Sequence, residues 1–248
     1  MLDDLEIFVI NLDRSTERMQ MMDARLEKLG LRYTRVPAVD GSTVDLAAET
    51  MIDAVKYSRA HGKSVVPSEV GCYVSHYNTM KEFLLRSNKK YALVLEDDML
   101  FDDGFMAALE SLLKNESWDM VKLNGLKSRR GNVRKARLTE RHWLAVNFFP
   151  QSKSGAYLIN RKAAEAYTAK LMPMFMPFDH EFTKFWKYGL RGFSVLPFPA
   201  KEDGAPSLID YMALRRGRKP WYKRLDHALY EAYVTIMRLM YAASTLRK

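Results

Sequence analysis

Three consecutive carboxylates, Glu96-Asp97-Asp98, follow directly on Tyr91-Ala92-Leu93-Val94-Leu95. That uncharged run of branched and aromatic residues predicts a strand buried on both faces, and the C-terminal end of such a strand is where open α/β sheets hold ligands. Extended backbone alternates its side chains, so Glu96 and Asp98 are expected on one side and Asp97 on the other. Two carboxylates on one face are half a site for a hard divalent cation, which commonly keeps positions open for waters and substrate phosphates. The plainer reading is a solvated acidic turn, but Asp102-Asp103-Gly104 already supplies a cap for the helix that follows.

A second acidic group, Asp179-His180-Glu181, comes directly after Met172-Pro173-Met174-Phe175-Met176-Pro177-Phe178. Asp179 reads as the N-cap of a helix; the chemical alternative makes Asp179 or Glu181 a general base whose pKa the apolar neighbours push upward. Lys127 to Arg141 carries seven basic residues against one acid and no apolar period. It predicts a long exposed loop, either a solvated surface or a clamp for phosphate. His61, His76, His142, His180 and His227 are scattered, and Cys72 is the single cysteine. Neither a zinc cage nor an internal disulfide is expected. The chain also lacks a nucleophile elbow, a P-loop and a G-x-G-x-x-G fingerprint.

These groups need elements to hold them. Ile7-Phe8-Val9-Ile10 predicts a short buried strand ending at Asn11-Leu12-Asp13-Arg14. Asp13 or Ser15 then caps a helix striped by Met19, Met22, Leu26 and Leu29 and closed by Gly30, and residues 32–36 return as a strand. This is how nucleotide-binding α/β sheets begin. After a weak helix within residues 46–59, a long one is expected from Glu69 to Arg86, with Glu69, Cys72 and His76 on a face beside its Val70, Val74, Tyr77 and Leu84 stripe. Further strands are expected over residues 118–123, 143–149, 156–159 and 191–196, with helices near Phe105-Leu109-Leu112 and over residues 161–171.

Composition is that of a globular chain of 248 residues, 48% hydrophobic and 28% charged. No run of about 18 apolar residues occurs, and the acidic start lacks the pattern of a signal peptide, so a cytoplasmic location is expected. The net charge of +9 is uneven: nine basic residues and two acids from Arg215 onward give +7, leaving +2 for the rest.

Taken in order, Val9-Ile10-Asn11-Leu12-Asp13-Arg14 with Glu17-Arg18, Ala38-Val39-Asp40-Gly41, Glu69-Val70-Gly71-Cys72 with Ser75-His76, and Leu95-Glu96-Asp97-Asp98 resemble glycosyltransferase family 25. These are the bacterial lipooligosaccharide galactosyltransferases and their collagen-modifying relatives. Ser154-Gly155-Ala156-Tyr157-Leu158-Ile159, Phe178-Asp179 and Pro206-Ser207-Leu208-Ile209 fall where that family has similar pieces, so the resemblance covers residues 5–210. It implies an α/β domain of GT-A type with a mixed, mostly parallel sheet, a sugar-nucleotide donor (commonly UDP-galactose), a divalent cation (Mn2+ or Mg2+), and inversion to a β-linkage. Matched position by position, it puts the cation on Asp98 first and Glu96 with it, and the diphosphate near Asp97. Asn11, Leu12, Arg14, Glu69, Ser75 and His76 fall near the nucleotide, and Asp179 becomes the base. Glu202 or Asp203 could supply a further ligand.

The two expected domains are residues 1–210 and a basic tail, 211–248. In the tail, Arg215 to Arg224 with Trp221 and Tyr222 leads into a helix with Leu225, Leu229, Tyr233, Ile236 and Met240 on one side. Such a helix lies in the interface of an anionic membrane, or docks on the domain or on a second subunit. Deleting residues 215–248 is expected to abolish vesicle binding and spare soluble-acceptor activity. The resulting picture is a transferase acting on a lipid-linked saccharide at the inner face of the cytoplasmic membrane, with no nucleic acid partner. Its competitor is a noncatalytic protein gripping anionic glycan or nucleic acid through the basic loop and tail.

Overall fold

The computed structural model describes residues 2–46, 50–126, 131–204 and 221–247; Lys127 to Arg130, Pro206 to Ile209 and Arg215 to Pro220 lie outside them. Strand β1 (Leu5–Asn11), helix α1 (Thr16–Lys28) and strand β2 (Thr34–Pro37) form the expected opening unit. Met22 and Leu26 are the fully buried part of the α1 stripe. Its end is fixed by Gly30 at φ +67°, with the Gly30 and Leu31 amides donating to Glu27 and Leu26 carbonyls.

The chain continues through α2 (Ala54–Ala60), α3 (Pro67–Arg86), β3 (Tyr91–Glu96), β4 (Met99–Phe101), α4 (Phe105–Leu113) and β5 (Met120–Lys122). Then come β6 (Asn132–Arg137), β7 (Trp143–Asn147), β8 (Ala156–Asn160), α5 (Arg161–Lys170), α6 (Phe178–Glu181), α7 (Phe185–Tyr188), β9 (Gly192–Leu196), β10 (Ala200–Glu202) and α8 (Trp221–Arg247). Eight strands make one sheet in the order β2-β1-β3-β8-β5-β9-β7-β6, and β10 pairs with β4 in a second.

The α/β sheet is mixed, as expected, though not mostly parallel: three of its seven strand pairs are parallel. The pairs β1–β2, β1–β3 and β5–β9 are parallel, whereas β8 runs antiparallel to both β3 and β5, and β7 to both β9 and β6. Alternation sorts the core. Ile7, Val9, Leu93 and Leu95 face α1 and α4, while Phe8, Ile10, Ala92 and Val94 face α3 and α5.

Two expectations are corrected. The basic segment after Gly131 is strand β6, paired with β7, rather than a loop. It sits at the sheet edge with Arg134, Lys135 and Arg137 exposed, and Arg134 stacks on Trp143 at 3.8 Å. An edge strand with charged outer residues shows no apolar period, which is why its pattern resembles a loop. The tail helix, in turn, is docked. Val234, Arg238 and Ala242 are buried, Tyr230 accepts a 2.6 Å hydrogen bond from Lys184, and the Tyr241 hydroxyl donates to Leu190 O at 2.9 Å. Truncation at residue 215 therefore uncovers core and cannot leave the domain unaffected. No helix among the described residues is long and apolar enough to cross a membrane.

Candidate active site

A cleft of about 400 Å³ opens over the C-terminal ends of β1 and β3, lined by Leu12, Arg14, Arg18, Ser75, His76 and the acidic triplet among others. Its back wall depends on two close approaches. A Cβ on Gly41 would meet Ser68 Cα at 2.5 Å, and one on Gly71 would meet Val39 O at 2.6 Å. Only glycine lets the loop after β2 lie on α3 in this way. Ser75 locks the contact by accepting from Val39 N at 2.8 Å and donating to Gly71 O at 2.6 Å.

The strand ends at Glu96 and the triplet finishes in a turn, with Asp97 and Asp98 sharing Arg18 and Glu96 turned to His76. Asp97 points back to β1, accepting from Asn11 Nδ2 at 2.7 Å and Arg18 Nη1 at 3.2 Å. Burial raises the Asp97 carboxyl, against the pull of those two partners. Asn11 is itself buried, donating also to Ser15 O and accepting from Arg35 Nε at 3.0 Å. Asn11 thus braces the cleft from behind, while Ser75 is part of its lining.

Glu96 turns toward α3 and β8. Its Oε1 lies 3.2 Å from His76 Nε2 and 3.2 Å from Ser154 Oγ. A carboxylate only accepts, so Nε2 carries a proton and donates to Glu96, while Nδ1 lies 3.0 Å from the Tyr157 hydroxyl. Burial acts to raise the Glu96 carboxyl, but the bonds and charge of His76, with the Ser154 hydroxyl, hold it below the ordinary glutamate value. His76 is buried and stacked on Phe178 at 4.3 Å.

Asp98 is the unsettled member. Its Oδ1 is buried with no hydrogen-bond partner, and Arg18 stands 3.8 Å from Oδ2. Burial first, then the charges of Glu96 and Glu202, push its carboxyl up to about 7. The pairing of β10 with β4 brings Glu202 here, opposite Met99, and Asp203 N donates to Asp98 O at 2.9 Å. Glu202 is bonded by Lys153 Nζ at 2.5 Å and Asp203 by Arg25 Nη2 at 3.1 Å.

An orphaned buried carboxylate oxygen among further carboxylates fits a hard cation, which needs only one or two protein carboxylates when phosphate oxygens complete its shell. Cys72, His76 and Glu96 also bring three ligand atoms within 4.8 Å of one another. That set suits no soft metal, since both His76 nitrogens are engaged and burial, with the charges of Glu96 and Asp179, keeps the Cys72 thiol protonated.

The other expected residues divide. Leu12 and Arg14 line the cleft, with Arg14 paired to Asp40. Glu69 lies outside its wall, held by the Tyr57 hydroxyl, and burial raises its carboxyl. Asp179 is inside α6, whose N-cap is Pro177, and its Oδ2 accepts from Lys153 N at 3.0 Å. Its charge reaches Glu96, Cys72 and Glu69. Glu181 is excluded as the base. It is fully buried on Lys184 at 2.7 Å, Lys187 and Tyr188 OH at 2.9 Å, and the lysines hold it below the glutamate value against burial. Arg18, which belongs to the first motif but carried no expected role, is on the first turns of α1 and reaches Asp97 and Asp98 from there.

The profile of the family described as Glycosyltransferase family 25 (LPS biosynthesis protein) matches residues 4–182. Over 125 residues the chain is 33% identical to a "Glycosyltransferase 25 family member" of Anopheles gambiae, covering 46% of this chain and 21% of that protein. It is 33% identical over 128 residues to "Procollagen galactosyltransferase 1-B" of Xenopus laevis, covering 48% and 21%. It is also 33% identical over 127 residues to the human "Inactive glycosyltransferase 25 family member 3", with the same coverage. The chain therefore spans about a fifth of the length of these relatives. Among solved structures, A197 from STIV aligns with TM-score 0.42 at 14% identity over 77% of this chain and 80% of that one. A Drosophila β-1,4-galactosyltransferase 7 mutant bound to manganese, UDP-Gal and xylobiose aligns with TM-score 0.37 at 14% identity over 87% and 82%.

Proposed function

Because the chain belongs to glycosyltransferase family 25, we propose that it transfers a sugar from a nucleotide donor, UDP-galactose in the first instance, to a saccharide acceptor with inversion to a β-linkage. One observation carries the reading: the upward-shifted Asp98 carboxylate, one oxygen of it buried without a partner, beside Glu96 and Glu202 in a cleft edged by Arg14 and Arg18. Asp98 and Glu96, with Glu202, would hold a Mn2+ or Mg2+ ion, which when bound neutralises the charge developing on the leaving diphosphate. Arg18 stands 3.8 Å from Asp98 and, at 3.2 Å, orients Asp97. Asp179, positioned by the Lys153 amide, takes the proton of the incoming hydroxyl. Inversion needs no enzyme nucleophile, in keeping with a single base.

The competing reading, a noncatalytic binder on the same fold, draws on the inactive human relative. One assay separates the two: UDP release from a panel of sugar nucleotides with manganese, for the native protein, for Asp98→Ala and with chelator. Turnover of one donor, lost in the variant and under chelation, is expected. No turnover and no UDP binding by calorimetry would overturn the transferase reading.

The acceptor is proposed to be lipid-linked, met at the inner face of the cytoplasmic membrane. Opposite its docked side, α8 exposes Leu229 at 62%, Ile236 at 57% and Met240 at 63%. The exposed positions from Ala228 to Ser244 carry no charge. The basic run before the helix supplies attraction to anionic headgroups. Ile236→Glu with Met240→Glu, which leaves the docked side intact, is expected to release the protein from anionic vesicles. Unchanged flotation with those vesicles would remove the membrane from the proposal.

A further inference from the structure

We propose that Lys122 is a positioning residue for this reaction: its ammonium gathers the carbonyls of residues 151–153 into a turn whose remaining atoms set the acids of the cleft. The proposal rests on the transferase reading only for what those acids do.

Lys122 lies on β5, between β8 and β9 in the middle of the sheet, and is 1% exposed. Such a position ordinarily takes an apolar residue, and a lysine is seldom fully buried without a partner. No carboxylate bonds this one. Its Nζ donates to Gln151 O at 2.5 Å, Ser152 O at 3.1 Å and Lys153 O, which accounts for all three ammonium protons, and the Phe182 ring lies 5.2 Å away. Burial pushes the amine down to about 7, opposed by the charges of Asp179 and Glu96 and aided by that of Arg238.

Three successive carbonyls converging on one point belong to neither helix nor strand. Lys153 accordingly takes φ +78°, the one positive value outside glycine among the described residues. With those carbonyls turned inward, the other groups of the turn reach the acids around it. Lys153 N donates to Asp179 Oδ2 at 3.0 Å, and Lys153 Nζ donates to Glu202 Oε2 at 2.5 Å. Ser154 Oγ bonds Glu96 Oε1 at 3.2 Å, and Gly155 O accepts from Glu96 N at 2.7 Å. The base and two of the three carboxylates proposed for the cation are thus held by one turn, and that turn is held by one buried amine. A methionine in its place would fill the space and leave the three carbonyls free to turn toward water.

The test is Lys122→Met in the full chain, read three ways. Amide exchange at Lys153 and Glu96 is expected to rise about tenfold or more while β1 amides stay protected. Donor turnover is expected to fall roughly 100-fold with donor KM nearly unchanged, the size of effect that misplaced catalytic groups produce. Thermal melting reports that the variant is folded. Native exchange and native turnover together would overturn the proposal. If the methionine variant does not fold, Lys122→Ala is assayed with propylammonium and with propanol. Recovery with the amine alone supports the role, and recovery with both or neither refutes it. Should the native protein turn over no donor, the transferase reading fails by itself, and exchange at Lys153 and Glu96 still decides what Lys122 does.

Discussion

Asp98 and Glu181 are both buried acids near the ends of regular elements, and they keep opposite company. Glu181 has two lysines and a tyrosine hydroxyl on its carboxylate and is held ionised below its ordinary range. Asp119, also fully buried, is bonded by Arg191 at 2.9 Å and Lys162 at 3.0 Å and is held well below the usual aspartate value. Asp98 has an oxygen with no partner, two acids beside it, and a carboxyl lifted to about 7. Burial is common to all three, so the difference lies in what the fold offers each charge. Glu181 and Asp119 are surrounded by cations of the chain, whereas Asp98, among the described residues, has only Arg18, 3.8 Å from its other oxygen, and the proposed metal ion would supply what is lacking there.

The largest effect should come from Asp98→Asn. Donor turnover is expected to fall about 1,000-fold, as for loss of a principal electrostatic group. The native Asp98 is harder to ionise when folded, so its penalty is absent below the ordinary aspartate value, grows as pH rises, and is complete above about 7. Melting at pH 8 without metal should therefore rise by several degrees, about 1–2 kcal/mol, and should not change at pH 3.5. A lower melting temperature at pH 8 would break the contrast.

Glu181→Gln should act in reverse, removing roughly 3 kcal/mol by leaving Lys184 buried without its counter-charge, while the folded fraction keeps its turnover. Urea unfolding and donor hydrolysis measure the two together. Full stability with lost turnover would move Glu181 into the chemistry. The smallest effect is expected from Asp119→Asn, about 1 kcal/mol, since Arg191 and Lys162 are themselves half exposed. Its carboxyl is depressed by folding, so this contribution is present above the ordinary aspartate pKa and disappears as pH falls through the folded value. Acid titration of both proteins should show their stabilities converging.

Local pattern revealed much of this arrangement. The uncharged run before Glu96 made β3, the Met22 and Leu26 spacing made α1, and the order of short motifs identified the family. What it missed depends on partners distant in sequence. Arg18 stood in the first motif and Glu202 was a candidate ligand, but their contacts appear only when α1 packs beside β3 and β10 pairs with β4. Asn11 and Ser75 could be assigned to the right region, but not to their hydrogen bonds behind the wall. Lys122 fell unmarked within the strand expected over residues 118–123, because nothing local says that three carbonyls converge on it. The alternation expected through the triplet ran only as far as Glu96; past it Asn11 holds Asp97, and Arg18 bridges Asp97 and Asp98.

The two outer strands of the large sheet, β2 and β6, have a bearing on how copies of this chain behave when crowded. One edge strand is four residues long and ends in Pro37, which has no amide proton to offer; the other carries Arg134, Lys135 and Arg137 and shifts register beside Ala136. A neighbouring chain approaching either border meets a missing donor or a row of like charges instead of a ladder to extend. Local enrichment raises the frequency of encounters without giving them a way to grow into fibres.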